Sequence, residues 1–412
     1  MSFASFASFA VLPLRNALGV PSSKVPIDGT AFVLYVLPAF VCQFAVAVLA
    51  VKPQTRTLRV ALWPLVALLA ARAALSVDMS LGKIEQKFNN TNFVLFMISV
   101  AARTLDWALA KRPLVRHIRP TNSSPSTVMD AIDLVLNFRG HGWDWSHYRS
   151  YIPRETRPAN HMAFVFYASL SAVAHALICG AFHRAILILV PTTAITEGST
   201  IFDVTLPFPV QYLRATMISA FFAIDIYATM QMSYDLCTVL GILVLGQDPA
   251  QWPPAFNAPW RATSLSSLWG CRWHQFLRHT FLILGGYPLS VVLGRVGLII
   301  GAFLASVLWH HTSLITLDSQ VEMWWMLVGF GMMGPGILAE RVFYQLTGRR
   351  VGGMLGWVWT MVWLMLWGNM IAEGFARAGM FGCSSPLDSE SPLRASVERL
   401  VMGFDVWLHT LD

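Results

Sequence analysis

The chain alternates long apolar runs with short polar breaks, and the runs have membrane-crossing length. From Gly29 to Val51 no charged residue occurs, and Lys52, Arg56 and Arg59 close the run. About 20 such residues make a helix long enough to cross a hydrocarbon core. Val60 to Val77, broken only by Arg72, and Phe93 to Leu109, which carries Arg103 and Asp106, predict two more helices. A hydrophilic stretch, Lys111 to Asn160, follows. Apolar runs then resume at His161 to Phe182, Ala185 to Ile195, Val210 to Ala228 and Met232 to Leu245. The Ala185 run is short for a crossing and predicts a re-entrant or broken helix. Phe281 to Leu317, apolar save for Arg295, His310 and His311, predicts one tilted helix plus a partial second. Met323 to Ala339 and Met354 to Ala372 add two. The pattern predicts an all-α, polytopic integral membrane protein with about eight to ten spanning helices, in one membrane-embedded domain over residues 1–412.

Composition agrees. Only 12% of residues are charged, against about a quarter in soluble domains. The net charge of +7 comes from Lys and Arg clusters between the runs, which reads as a topology signal and not as a nucleic-acid surface. The clusters after the first and third runs and at Arg341 to Arg350 place those loops, including 111–160, in the cytosol. Alternate counting puts the break at 246–279 there too. Five scattered cysteines show no disulfide or metal spacing, so no metal is expected. In Met1 to Val20, Arg15 follows the apolar part instead of preceding it, unlike a cleavable signal peptide. Sequons stand at Asn89 and Asn122, the second in a segment assigned to the cytosol.

No nucleophile elbow, phosphate-binding glycine loop, HExxH or paired metal carboxylates occur. Two histidines stand at the edges of apolar stretches, His274 in Cys271-Arg-Trp-His-Gln275 and His310 in Ala305-Ser-Val-Leu-Trp-His-His311. A desolvated imidazole stays neutral and can accept a proton, as a general base must; the alternative for each is a packing histidine. Arg103 and Asp106, at i, i+3 spacing, read as a structural pair. A transporter using the histidines as a relay is a further alternative, although no repeated halves stand out.

The polar island 246–279 carries a more specific pattern. Asp248-Pro249, Trp252-Pro253, Phe256, Ser264-Leu265, Trp269, Arg272-Trp273-His274-Gln275 and Arg278 are followed by Ser306-Val-Leu-Trp-His310. This order resembles the wax synthase-like branch of the membrane-bound O-acyltransferases. Asn137-Phe-Arg-Gly-His-Gly-Trp-Asp-Trp145 resembles a segment of that branch's fungal members, which acetylate terpenoid and meroterpenoid alcohols. Leu268, Cys271, Val307 and His141 depart from the usual residues.

The resemblance implies a helical bundle enclosing a catalytic cavity, with its core over 246–316. His310 would be the base and His274 would orient substrate or assist at the thioester. Trp269, Arg272, Trp273, Gln275 and Arg278, with Asn137 and Arg139, would bind substrate or CoA. The expected reaction is acetyl transfer from acetyl-CoA, a co-substrate rather than a resident cofactor, to a lipophilic alcohol. The expected setting is the endoplasmic reticulum membrane. A long-chain wax or sterol ester synthase shares these motifs.

Overall fold

The computed structural model describes residues 15–119, 124–144, 152–153, 155–190, 198–317, 320–383 and 392–410. Residues 1–14 of the N-terminal stretch, Asn122 of the second sequon, Trp145 of the glycine-rich motif and Ile195 lie outside them. Eight helical segments among the described residues are long and apolar enough to cross a membrane: α1 (Gly29–Ala50), α2 (Arg56–Ser76), α3 (Ile84–Leu109), α5 (His161–Leu189), α6 (Phe208–Leu243), α7 (Arg278–Leu317), α8 (Trp324–Thr347) and α9 (Gly353–Arg377). Two shorter helices, α4 (Thr127–Leu136) and α10 (Pro392–Leu408), complete the set. The protein is an all-α, multi-pass integral membrane protein. Its only described sheet pairs β1 (Val25–Pro26) with β2 (Val77–Asp78), parallel, two residues each. The chain comprises two compact units, one holding α1 to α4 and the other α5 to α10.

In the first unit, α1, α2 and α3 pack through Val46, Val66, Ala70, Ala73, Met97 and Val100. Small residues such as Ala70 and Ala73 let the backbones approach, which replaces the hydrophobic driving force that lipid does not supply. Charges inside these helices find carbonyls. Arg59 donates to Trp107 and Ala110 oxygens. The hydrogen bonds of Arg103 go to Leu134, Val135 and Asn137 at the end of α4, at 2.7 to 2.9 Å, so its guanidinium caps a helix in addition to its electrostatic pairing with Asp106. The glycine-rich motif closes on Asp133. The fully buried Trp143 donates its indole N–H to that carboxylate at 2.7 Å, and Arg116 meets its other oxygen at 2.7 Å. Asn137 spans the turn, donating to the His141 carbonyl at 2.8 Å and accepting from its N–H at 3.2 Å. Positive φ at Gly140 and Gly142 makes that turn possible. Arg139, beside it, is half-buried.

In the second unit, two expectations from the apolar runs are corrected. The Ala185 run is no separate re-entrant element: the described part of it, to Leu189, continues α5, and the Val210 and Met232 runs form one 36-residue helix, α6. Polar residues had split both runs, yet they pair across the α5–α6 seam. Ser171 donates to Asp235 at 2.7 Å, Cys179 lies 3.2 Å from Thr229, and His183 lies 3.8 Å from Asp225. Intramembrane polar groups matched in this way need not end a helix.

The expectation of a helix plus a partial helix in Phe281 to Leu317 describes α7 well. It breaks at Gly294 (φ 55°, ψ −135°) into limbs 278–293 and 295–317 that fold back on each other. A Cβ on Gly285 would come within 2.0 Å of the Gly301 carbonyl oxygen, and one on Gly301 within 2.2 Å of the Gly285 oxygen. Only glycine allows that approach. Outside the bundle core, α10 is tied to α5 and α6 by Arg184–Glu398 at 2.6 Å and Arg214–Asp405 at 2.8 Å.

Candidate active site

The island between α6 and α7 packs as an ordered plug against the helices. It leaves α6 at Gly246, in the left-handed region (φ 61°). Trp252 docks on α6 where Gly241 leaves no Cβ to meet its ring, and its N–H donates to Gln247 at 3.1 Å. Tyr234 of α6 donates to the Pro253 carbonyl. Phe256 packs on Tyr227, near the middle of α6, with ring centroids 4.7 Å apart. The Asp248-Pro and Trp252-Pro pieces therefore set the depth of the segment that follows them.

That segment is a helical turn, Leu265–Ser267, running into a wide turn, Leu268–Arg272. Ser264 caps its start by accepting from the Ser267 N–H at 3.0 Å. Glu340 of α8 holds it from outside. Its buried carboxylate accepts from the Leu265 N–H (2.6 Å), the Ser266 N–H (3.0 Å), the Ser266 hydroxyl (2.6 Å) and the Trp359 indole (3.1 Å). An anion at a helix N-terminus is stabilised by the orphan N–H groups and the helix dipole.

Of the predicted residues, Arg272 works as a strut. It donates to the Asn257 and Ala258 carbonyls at 3.0 and 3.3 Å and to the Ser267 hydroxyl at 3.1 Å. Arg278 donates to the Gly270 carbonyl at 2.7 Å, and Gln275 to the Trp273 carbonyl at 2.7 Å. Asn137 and Arg139 belong to the first unit.

Trp269, Trp273, His274 and His310 meet in an aromatic chain. His274 stacks on Phe276 at 5.5 Å and faces Phe256 and Trp273 at 5.9 and 5.6 Å. Trp273 lies 6.1 Å from Trp269, and Trp269 lies 6.5 Å from Phe330 of α8. Phe330 stacks face to face on His310, with centroids 3.9 Å apart and planes 19° apart. Island, second limb of α7 and α8 thus converge on one site.

The protonation pattern of His310 follows from its partner. Nδ1 is 2.7 Å from the Ser306 carbonyl oxygen. A carbonyl only accepts, so Nδ1 carries the proton and the neutral ring keeps its lone pair on Nε2. His311, next in the chain, is half-buried, and its Nδ1 is buried without a hydrogen-bond partner.

This geometry lies where the chain matches known proteins. Residues 252–331 match the membrane bound O-acyl transferase family. Over that stretch the chain is similar to the family. Among its relatives, the O-mevalon transferase yanI of Aspergillus niger is 26% identical over 209 residues, 45% of each protein. The acetyltransferase aurG of Calcarisporium arbuscula is 28% identical over 168 residues, 38% of this chain and 40% of that one. The acetyltransferase spyB of Aspergillus fumigatus is 26% identical over 121 residues, 27% and 20% respectively. The chain aligns with less than half the length of each relative.

The family interval includes His310 and the island from Trp252 onward. Sequence reasoning missed Phe330 and Glu340. Glu340 left a signal, as a carboxylate one residue beyond the end assigned to an apolar run; Phe330 left none, because a phenylalanine inside an apolar helix reads as packing.

Proposed function

We propose that the protein is an acyl-CoA-dependent O-acyltransferase of the endoplasmic reticulum membrane that moves an acetyl group to a hydroxyl of a lipophilic, terpenoid-like alcohol. The observation that carries this reading is His310. Its Nδ1 is committed to a backbone acceptor and its ring is fixed by Phe330, which leaves Nε2 as a base of defined direction. Nε2 takes the hydroxyl proton as the alcohol oxygen attacks the thioester carbon. The C–S bond then breaks, and the same proton passes to the CoA thiolate, so no proton is gained or lost overall. His274, in the same aromatic chain, orients the thioester. Arg272, Trp273 and Gln275 sit beside it at the acyl-CoA channel, and Arg278 is the cation for the CoA phosphates; Asn137 and Arg139 take their place in substrate binding from the resemblance alone. Acetyl is the acyl group because two of the relatives are named acetyltransferases.

The test is transfer by membranes bearing the protein, with labelled acetyl-CoA or palmitoyl-CoA and a panel of terpenoid alcohols. Acetyl esters are expected. H310A is expected to lower kcat by about 10²–10⁴-fold, the usual contribution of a general base. Esters formed only from palmitoyl-CoA would replace acetyl by a long chain. Full activity in H310A would remove the histidine from the chemistry.

A further inference from the structure

Four tryptophan N–H groups among the described residues are buried without a hydrogen-bond partner, on Trp107, Trp269, Trp325 and Trp367. Each is a donor withdrawn from water with no partner to compensate it, which costs stability. Trp269 differs from the other three in position. Its ring meets Phe330, the residue stacked on His310, and also Phe303 of the α7 limb that carries His310, at 6.0 Å. The turn that bears it is held at one end by the Glu340 carboxylate and at the other by Arg272, whose Nε bonds Ser267. An indole N–H donates, never accepts and never ionises in the working range. Held rigidly in an apolar site, it favours a neutral carbonyl oxygen that is gaining negative charge.

We propose that the Trp269 Nε1–H is the hydrogen-bond donor to the thioester carbonyl oxygen, the oxyanion-stabilising group of the transfer reaction. The proposal rests on the O-acyltransferase reading. As the alcohol oxygen bonds to the carbonyl carbon, the carbonyl π pair moves onto oxygen and the Trp269 N–H bond to that oxygen shortens and strengthens. His310 Nε2 holds the alcohol proton. When the tetrahedral intermediate collapses, the pair returns, the C–S bond breaks and His310 protonates the departing sulfur. No further reactant is required. The assignment also accounts for the rigid mounting of the turn: a donor helps only when it is already aimed where the charge appears.

The decisive variant is W269F, which keeps an aromatic ring in the slot and removes the N–H. It is expected to melt at or above the wild-type temperature, because an unsatisfied donor has gone. KM for acetyl-CoA and for the alcohol should stay within about twofold, while kcat falls about 10²-fold, the loss typical of one oxyanion donor. W269H, which restores a ring N–H, should recover part of the lost kcat. Wild-type kcat in W269F overturns the proposal, as does a W269F protein that fails to fold, since the ring then serves packing. A raised KM for the alcohol at unchanged kcat overturns it too, moving the N–H to the acceptor hydroxyl. If the wild type transfers no acyl group from CoA, the parent reading fails and this inference fails with it; an active wild type equalled by W269F removes this inference alone.

Discussion

Single polar residues in this chain act mostly by collecting backbone groups. Asp78 shows it outside the membrane spans. Its carboxylate accepts from the Ser80 N–H and hydroxyl, the Gly82 N–H and the Asn90 amide, holding together the turn in which Leu81 and Gly82 both have positive φ. Burial pushes the carboxyl upward, but the hydrogen bonds outweigh it and hold the pKa at about 2, against an ordinary 3.8. The folded protein therefore binds this proton less readily than the unfolded chain. The resulting stabilisation is complete above pH ~4–5 and is lost as pH falls through 3.8 toward 2. Melting of the detergent-solubilised protein between pH 6 and pH 2.5 checks it: wild type should exceed D78N at pH 6 and converge on it at the acid end. Parallel curves would remove Asp78 from the acid response. The sequence made Asp78 visible only as a charge between apolar runs; the four donors come from residues up to 12 positions away, which no local pattern reveals.

At the scale of elements, the apolar runs located all eight spanning segments found among the described residues but misjudged where several end. The run from Met323 was cut at Ala339 and the run from Met354 at Ala372, each one residue before a glutamate. Both helices continue, because the Glu340 and Glu373 carboxylates find hydrogen-bond donors. Glu373 accepts from Thr200, the Ile201 N–H and Arg377 at 2.7 to 3.0 Å. A carboxylate that meets N–H groups from another segment is compatible with a membrane helix, and the donors are invisible until the chain folds. The same limit applied to the site: His274 and His310 were legible as histidines bordering apolar runs, whereas their joining through Phe330 and Trp269 depends on the hairpin at Gly294. Glu340 offers a direct test. E340Q removes the charge and turns an amide N–H₂ toward groups that are themselves donors. Hydrogen bonds to a charged group are worth about 1.5–3 kcal/mol each, so a loss of about 2–4 kcal/mol is expected, read as a lower melting temperature. Transferase activity should fall with it as the island loosens. An E340Q protein that melts and works like wild type would show that the island holds without this anchor.

At the scale of the whole chain, the side on which the island opens decides how a water-soluble thioester reaches it. Alternate counting of spans is sensitive to any misassigned helix, and the merging of runs in α5 and α6 illustrates how easily one is misassigned. Within the second unit, contacts give an independent argument. The island is bonded to the C-terminal half of α8 through Glu340 and to the start of α9, where Trp357 donates to the Trp260 carbonyl at 2.9 Å. The connection from α8 to α9 carries the exposed Arg349 and Arg350, which the positive-inside rule assigns to the cytosol. The segment before α6 lies at the other end of α9, where Ser199 donates to the Ala376 carbonyl at 2.9 Å and Thr200 to Glu373. The island should therefore face the cytosol and the 198–207 segment the opposite compartment. Single cysteines at Arg350 and at Val204, both exposed, separate the cases when intact microsomes are treated with a membrane-impermeant maleimide, with wild-type labelling subtracted for the native thiols. R350C should label at once, and V204C only after detergent opens the vesicles. The reverse pattern would put the island in the lumen and require acyl-CoA to cross the membrane before reaching His310. Labelling of both in intact vesicles would mean that α9 does not span the bilayer.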